Sequence, residues 1–408
     1  MSVLGQNSRR TSSLVFVLAF SLRGAFILTQ QDGFYFPDSL QYSQAALNLL
    51  AFGELGANYN RAPAYPVFLA GVYVLFGESI FAVRVVESVV GAVLAVVIGA
   101  IGRRIAGPAV GALAGVIWAV YPMGIFIAGL VYPTTLAAML LACGVWRLLP
   151  GNNEKLSARK VFCGGLFFGL AALTIPVALL TIAIVAAWVF YWACHSRILL
   201  ACLLLSGSAV SLLPWTARNF GVYGEIVPVQ PRLERHLPKI GTPGTNRTGN
   251  RVRAILLRPD LYAVRVGKNF LRFWELYPNR IKMSQQEYRD KLNTKDPRVV
   301  KDTIYTPNQL INAVSILSTG PVLVFGLIGT IAMWLRKDLR RELSLLWFTA
   351  LSFAVGYSFF VGRIRYRIPV EPYLIILSAY GIHGTYLAIV THFKSWAPRG
   401  MVMPHRSQ

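Results

Sequence analysis

The chain has 408 residues, of which 55% are hydrophobic and only 14% charged, which fits repeated membrane spans and argues against a soluble globular core. Forty Lys and Arg against 17 Asp and Glu leave a formal net charge of +23, so lipid headgroups, phosphates and nucleic acid are the anionic partners to weigh. The four cysteines, Cys143, Cys163, Cys194 and Cys202, lie in or beside apolar segments with no C-x-x-C spacing and no partnered histidine, so they read as packing residues and exclude a cysteine metal centre.

The first apolar run, 12–30, follows Arg9 and Arg10 and has no small-residue cleavage site, which predicts an uncleaved first span. "DGFYFPDSLQY" comes directly after it. "AYPVFLAGVYVLFG", 64–77, is too short to span and is fenced by Pro66 and Gly77, which suits a re-entrant or interfacial helix. Further spans are expected at 80–102, 107–123, 126–148, 161–175, 176–193, 198–214, 311–335, 341–361 and 370–392, an all-α polytopic chain with about ten transmembrane helices plus juxtamembrane helices in its first outer loop. Three regions follow: 1–215 with the outer loop 31–79, a basic segment 216–310, and 311–408.

With the N-terminus in the cytoplasm, the short connections carrying Arg103 and Arg104, then Arg147, Lys155, Arg159 and Lys160, then Arg197, then Arg336, Lys337, Arg340 and Arg341, share one side with the tail residues Lys394, Arg399 and Arg406. The opposite face receives 31–79, the corner "YPMG", the joint at Thr174 to Pro176, the stretch from Trp215 to about 310, and "VGRIRYRIPVEP". Within 216–310, a Pro-, Gly- and Arg-rich loop precedes "YAVRVGKNFLRFWELYP", whose aromatic and basic pattern suits a helix lying on a membrane surface. No nucleic-acid fold signature accompanies these arginines, which leaves lipid phosphate as the anionic partner.

Acids are scarce, so their positions matter. Asp38 has two readings: an N-cap of the amphipathic run that follows it, and a general base acting on an incoming hydroxyl or amine. Asp32 reads as a solvated loop acid. Arg61 can pair with Asp38, Glu54 or a phosphate, and Arg84 and Glu87, three apart, suggest an intrahelical ion pair. Near the C-terminus, Arg363, Arg365 and Arg367 alternate beside Tyr366 and Glu371, a concentration of guanidinium that can neutralise a phosphate or pyrophosphate.

Taken in order, "PDSLQY", "RAPAYPVFLAGVYVLFG", "AVRVVE", "GRRIAG", "LTIPVALL", "PWTARN" and "RYRIPVEPYLII" resemble the GT-C membrane glycosyltransferases, in the group related to protein O-mannosyltransferases and the aminoarabinose transferase of lipid A. The resemblance implies inverting transfer of a sugar from a polyprenyl-phosphate donor to a lipid, glycan or protein acceptor on the extracytoplasmic face, in a bacterial inner membrane with both termini cytoplasmic. It makes Asp38 the general base or acceptor-positioning group. Arg365 and Arg367, with Arg363 and Arg218, become donor-phosphate ligands. Tyr42, Glu54, Arg61, Tyr65, Asn219, Tyr366 and Glu371 become lining residues, and the helix at 64–77 shapes the acceptor side.

Two departures stand out. "VYPTTLAAM" puts Thr134 or Thr135 where many relatives carry an acid, and "LTIPVALL" puts Ile175 where relatives often carry arginine. Loss of the second acid leaves no expected cofactor, since a divalent cation takes several hard oxygen ligands; Asp38 with Glu54 is the remaining candidate pair. No P-loop or G-x-G-x-x-G signature points to direct use of a nucleotide sugar. The competing readings are a lipid-linked sugar flippase or transporter and a glycan polymerase or ligase. A sequon, "NRT", occupies 246–248.

Overall fold

A computed structural model describes residues 3–56, 59–149, 156–193, 195–230, 255–277 and 309–396. Outside them lie most of the basic segment 216–310 with its sequon, as well as Lys155, Cys194, Arg399 and Arg406. The described residues form no β-sheet, and their fourteen longer α-helices make up the fold. These are α1 (Val3–Leu28), α2 (Pro37–Phe52), α3 (Ala64–Phe76), α4 (Ile80–Ala106), α5 (Pro108–Val120), α6 (Pro122–Ala128) and α7 (Thr134–Leu148). They continue as α8 (Ala158–Thr174), α9 (Ala178–Trp192), α10 (Arg197–Tyr223), α11 (Pro259–Phe273), α12 (Gln309–Leu335), α13 (Arg340–Ser358) and α14 (Glu371–Trp396).

Local chemistry sets the boundaries. Ser79 caps α4, its Oγ accepting from the Ala82 N–H at 3.1 Å, and Gly107 ends the helix at φ 90 after Arg103 and Arg104, whose charges suit a helix C-terminus. Five helices are long and apolar enough to cross a membrane, and α5 and α6, bent by 56° where Pro122 interrupts them, form a further broken span or a re-entrant loop. The remaining helices at expected spans are shorter or carry more charge: α7, α8, α9 and α13. The span expected at 126–148 begins only at Thr134, because Gly129 and Pro133 break the apolar run. The interfacial helix expected at 64–77 is α3.

Consecutive long helices alternate direction, so the bundle has two ends. Arg103, Arg104, Arg147, Arg159, Lys160, Arg197, Arg336, Lys337, Arg340 and Arg341 occupy the turns at one end. The other end holds the connection from α1 through α2 and α3 to α4, the α6–α7 turn, and the α13–α14 connection. Apolar packing follows this division. One core fills the bundle, and a second gathers Phe34, Tyr42, Tyr65, Leu69, Val131, Tyr132 and Ile368 at the second end.

Close helix contacts rest on glycine. A Cβ at Gly329 would lie 1.9 Å from the Leu377 carbonyl oxygen, and one at Gly381 would lie 2.2 Å from that of Phe325, so α12 and α14 meet backbone to backbone. Gly329→Val is expected to destabilise the protein by at least about 1–3 kcal/mol in thermal unfolding. The same change at Gly384 in α14, where nothing lies within 4 Å, is the control and should leave the midpoint nearly unmoved.

Candidate active site

Asp38 stands in the first turn of α2, after Pro37, and its carboxylate faces the chain segment that leads into α3. Arg61 donates from Nη2 to Asp38 Oδ1 at 2.8 Å and from Nε to Gln41 Oε1 at 2.9 Å, while the Tyr132 hydroxyl donates to Asp38 Oδ2 at 3.4 Å. This replaces the capping reading: the N-cap is Phe36, which makes no side-chain cap bond, and both Asp38 oxygens face the tertiary site. The side chains of Arg61 and Asp38 remain 29% and 26% exposed, so the pair is open to a ligand.

Aromatic rings frame the pair. The Arg61 guanidinium carbon lies 5.4 Å from the Tyr42 ring centre, and Tyr42 meets Tyr65 and Tyr132 edge-on at 5.2 and 6.2 Å. Burial lowers the basicity of Arg61, but Tyr42 and Asp38 outweigh it and leave the guanidinium pKa above its ordinary value. Burial likewise holds the Tyr132 phenol above its ordinary range, although the Arg365 charge opposes this, so the hydroxyl remains a donor toward Asp38.

Arg365 comes from the opposite end of the sequence, on Ile364–Tyr366, the first of two short 3₁₀ turns between α13 and α14. Its guanidinium carbon lies 5.8 Å from the ring centres of both Phe36 and Tyr132 and 5.1 Å from that of Tyr366, whose hydroxyl accepts from Arg365 Nη2 at 3.1 Å. Tyr366 is itself stacked on Tyr357 at 4.1 Å. Arg365 Nε is buried without a hydrogen-bond partner among the described residues, as are Arg23 Nε and Arg367 Nη2. Tyr132 therefore touches both charges: its hydroxyl meets Asp38 and its ring faces Arg365.

The other arginines of the run have different surroundings. Arg367, expected at the donor phosphate, is fully buried: Nε pairs with Glu371 Oε1 at 3.0 Å, and Nη1 donates to the Phe273 and Glu275 carbonyls at 3.0 Å each. Glu371, expected to line a cavity, is its buried partner. In this arrangement both act as a structural clasp between α11 and α14. Arg363 is exposed.

The contacts of Arg218 and Asn219 are with each other, with Trp215 and with the stretch after α10. Asn219 is buried and donates to the carbonyls of Val227 and Val229, while Arg218 packs over the Trp215 ring at 4.9 Å and bonds Asn219 Oδ1. Trp215 holds the Val229 carbonyl too, and Val229 packs with Ala62, so "PWTARN" supports the Arg61 segment from behind. Glu54 is exposed beyond the end of α2, and Asp32 lies in a shallow groove with Gln30, Glu78, Ser79 and Arg84. No group of three His, Cys, Asp or Glu residues gathers among the described residues. Thr134, Thr135 and Ile175 are buried.

Arg84 and Glu87 do not form the expected ion pair. Arg84 donates to the carbonyls of Gln31 and Gly33 at 2.9 and 2.7 Å, pinning the α1–α2 connection, and Glu87 accepts from the Tyr65 hydroxyl. Tyr65 in turn supports Tyr42 beneath Arg61. Tyr65→Phe, which leaves the buried Glu87 carboxyl without this donor, is expected to cost about 1–3 kcal/mol in denaturant unfolding. A neutral result would mean that the bond does not form. Tyr132 was not legible in the sequence, where the only signal was its place beside the Pro133 break in an apolar run.

Residues 60–216 match the family model of dolichyl-phosphate-mannose-protein mannosyltransferases, a match that includes Arg61, Tyr65 and Tyr132 but neither Asp38 nor Arg365. The archaeal oligosaccharyltransferase AglB from Archaeoglobus fulgidus, solved with an inhibitory peptide and a dolichol-phosphate, superposes with a TM-score of 0.60 at 14% identity over 98% of this chain and 53% of its own. ArnT from Cupriavidus metallidurans bound to undecaprenyl phosphate superposes with a TM-score of 0.58 at 16% identity over 97% of this chain and 64% of its own. The chain thus spans between about half and two thirds of the length of these solved structures. Comparison with curated proteins finds no match. This chain is an integral membrane protein with the fold seen in AglB and ArnT, and its residues 60–216 are similar to the dolichyl-phosphate-mannose-protein mannosyltransferase model.

Proposed function

We propose that the protein transfers a sugar from a polyprenyl-phosphate carrier to a hydroxyl or amine acceptor. The observation that carries this reading is the meeting of one acid and one guanidinium at a single ring, Asp38 and Arg365 at Tyr132. Solved structures of the same fold hold a dolichol-phosphate and undecaprenyl phosphate, which makes a lipid phosphate the fitting donor class here.

In the proposed step the acceptor heteroatom bonds to the anomeric carbon and passes its proton to Asp38. The bond from that carbon to the phosphate oxygen breaks with inversion, and its electron pair leaves on the phosphate, whose charge Arg365 offsets. Arg61 and Tyr132 orient the Asp38 carboxylate. Tyr42, Tyr65 and Tyr366 surround the charged groups with low-polarity walls, in which such charge stabilisation is stronger than in water. No step here requires a metal or cofactor.

The site end carries the long connections and the opposite end the basic short turns, a distribution that by the positive-inside rule supports an extracytoplasmic site in a bacterial inner membrane with both termini cytoplasmic. The test is product analysis: protein in lipid receives single-sugar polyprenyl-phosphate donors with candidate lipid, glycan and peptide acceptors. A mass gain of one sugar with release of free carrier phosphate supports the reading, and transfer only of preformed glycans would make the protein a ligase or polymerase.

A further inference from the structure

Arg61 holds two side chains of α2 at once, and the second of them, Gln41, has no part in the step described above. The Arg61 Nη2 donates to Asp38 Oδ1 at 2.8 Å and its Nε to Gln41 Oε1 at 2.9 Å. Asp38 and Gln41 stand three apart on one face of the helix, so a single guanidinium fixes them side by side. Both are open to a ligand: the Asp38 side chain is partly exposed and Gln41 is exposed.

The chemistry of the bond decides which way the Gln41 amide faces. A guanidinium nitrogen donates and never accepts, so the amide atom toward Arg61 is the oxygen, and the NH₂ group is turned from it. Among the described residues, nothing accepts from that Nε2. Asp38 and Gln41 therefore present an acceptor and a donor next to each other. An ionised carboxylate takes the proton of a hydroxyl or amine, and the amide beside it offers its N–H groups to an oxygen. A phosphate in this place would face Asp38 with like charge, whereas a neutral oxygen meets no such repulsion.

We propose that Gln41 is an acceptor-binding residue, donating from Nε2 to the hydroxyl oxygen next to the reacting one, so that the site selects acceptors with two neighbouring hydroxyl groups. The inference rests on the glycosyltransferase reading, in which the acceptor is the substrate that meets Asp38. Gln44, exposed one turn further along α2, serves as the control position.

Steady-state transfer by the whole protein in lipid tests it, with a single-sugar polyprenyl-phosphate donor and three acceptor probes: octyl glucoside, phosphatidylglycerol and a serine peptide. Gln41→Leu should raise the KM for a diol probe about tenfold, the scale of one neutral hydrogen bond, and leave the donor KM within about twofold. One monodeoxy octyl glucoside should serve native protein and variant equally, because it lacks the oxygen that the amide binds. Gln41→Glu keeps an oxygen for Arg61 and removes the N–H groups, so it should share the loss, whereas Gln44→Leu should not. A native acceptor KM in Gln41→Glu, an equal loss with every deoxy analogue, a shift in the donor KM instead, or transfer confined to the serine peptide overturns the proposal and leaves Gln41 as a support of Arg61. Failure of the native protein to transfer to any probe is a separate outcome, seen before any variant is compared, and it overturns the glycosyltransferase reading together with this inference.

Discussion

Asp38→Asn is expected to lower sugar transfer by about 10²- to 10⁴-fold, the range attributed to a positioned general base. The substitution keeps the size of the side chain and an oxygen for the Tyr132 hydroxyl or Arg61, so the helix start and the ring packing around it should persist. Removing a partly exposed ion pair costs only about 0–1 kcal/mol, so unfolding cannot account for a loss of that size. The check is turnover of a polyprenyl-phosphate sugar alongside the thermal midpoint of the same preparation. A variant that keeps more than a third of native activity would reduce Asp38 to an orienting contact of Arg61.

Arg365→Ala is expected to lower kcat/KM for the donor by about 10²- to 10³-fold, the usual scale for removing a preorganised donor from developing charge in a water-poor site. Arg365→Lys should recover part of this loss, because it returns the charge without the planar stack against Phe36, Tyr132 and Tyr366. The contrast with Arg367 makes the experiment decisive. Arg367→Ala leaves the buried Glu371 carboxyl without its cation and should cost about 3–5 kcal/mol of stability, seen as poor recovery of folded protein. Should both arginines behave as stability residues, the phosphate role assigned to Arg365 fails.

The difference between these two arginines was not readable from "GRIRYRIPVEPY", where they stand two apart with the same neighbours in sequence. Two short 3₁₀ turns send Arg365 toward Phe36 and Tyr132 and Arg367 inward to Glu371, and such turn geometry leaves no periodic signal. Asp38 was legible as a candidate because a carboxylate is conspicuous in an acid-poor chain, yet its capping role failed once Phe36 and Pro37 began the helix. Glu87 was matched to the wrong partner for a similar reason. Spacing along α4 suggested Arg84, whereas α3 brings Tyr65 to it across the fold. Apolar runs located most helices well, since burial and lipid contact both demand them. Pro133 displaced the start of α7, and Pro122 bent the preceding pair, where hydropathy alone does not register a break.

Release of free polyprenyl phosphate by the purified protein in sealed vesicles, given a single-sugar donor and an acceptor, tests the central claim most directly. Native protein should release carrier in step with the sugar gained by the acceptor, and the Asp38→Asn protein should not. Movement of intact donor across the bilayer with no carrier released would contradict the account and make the protein a flippase.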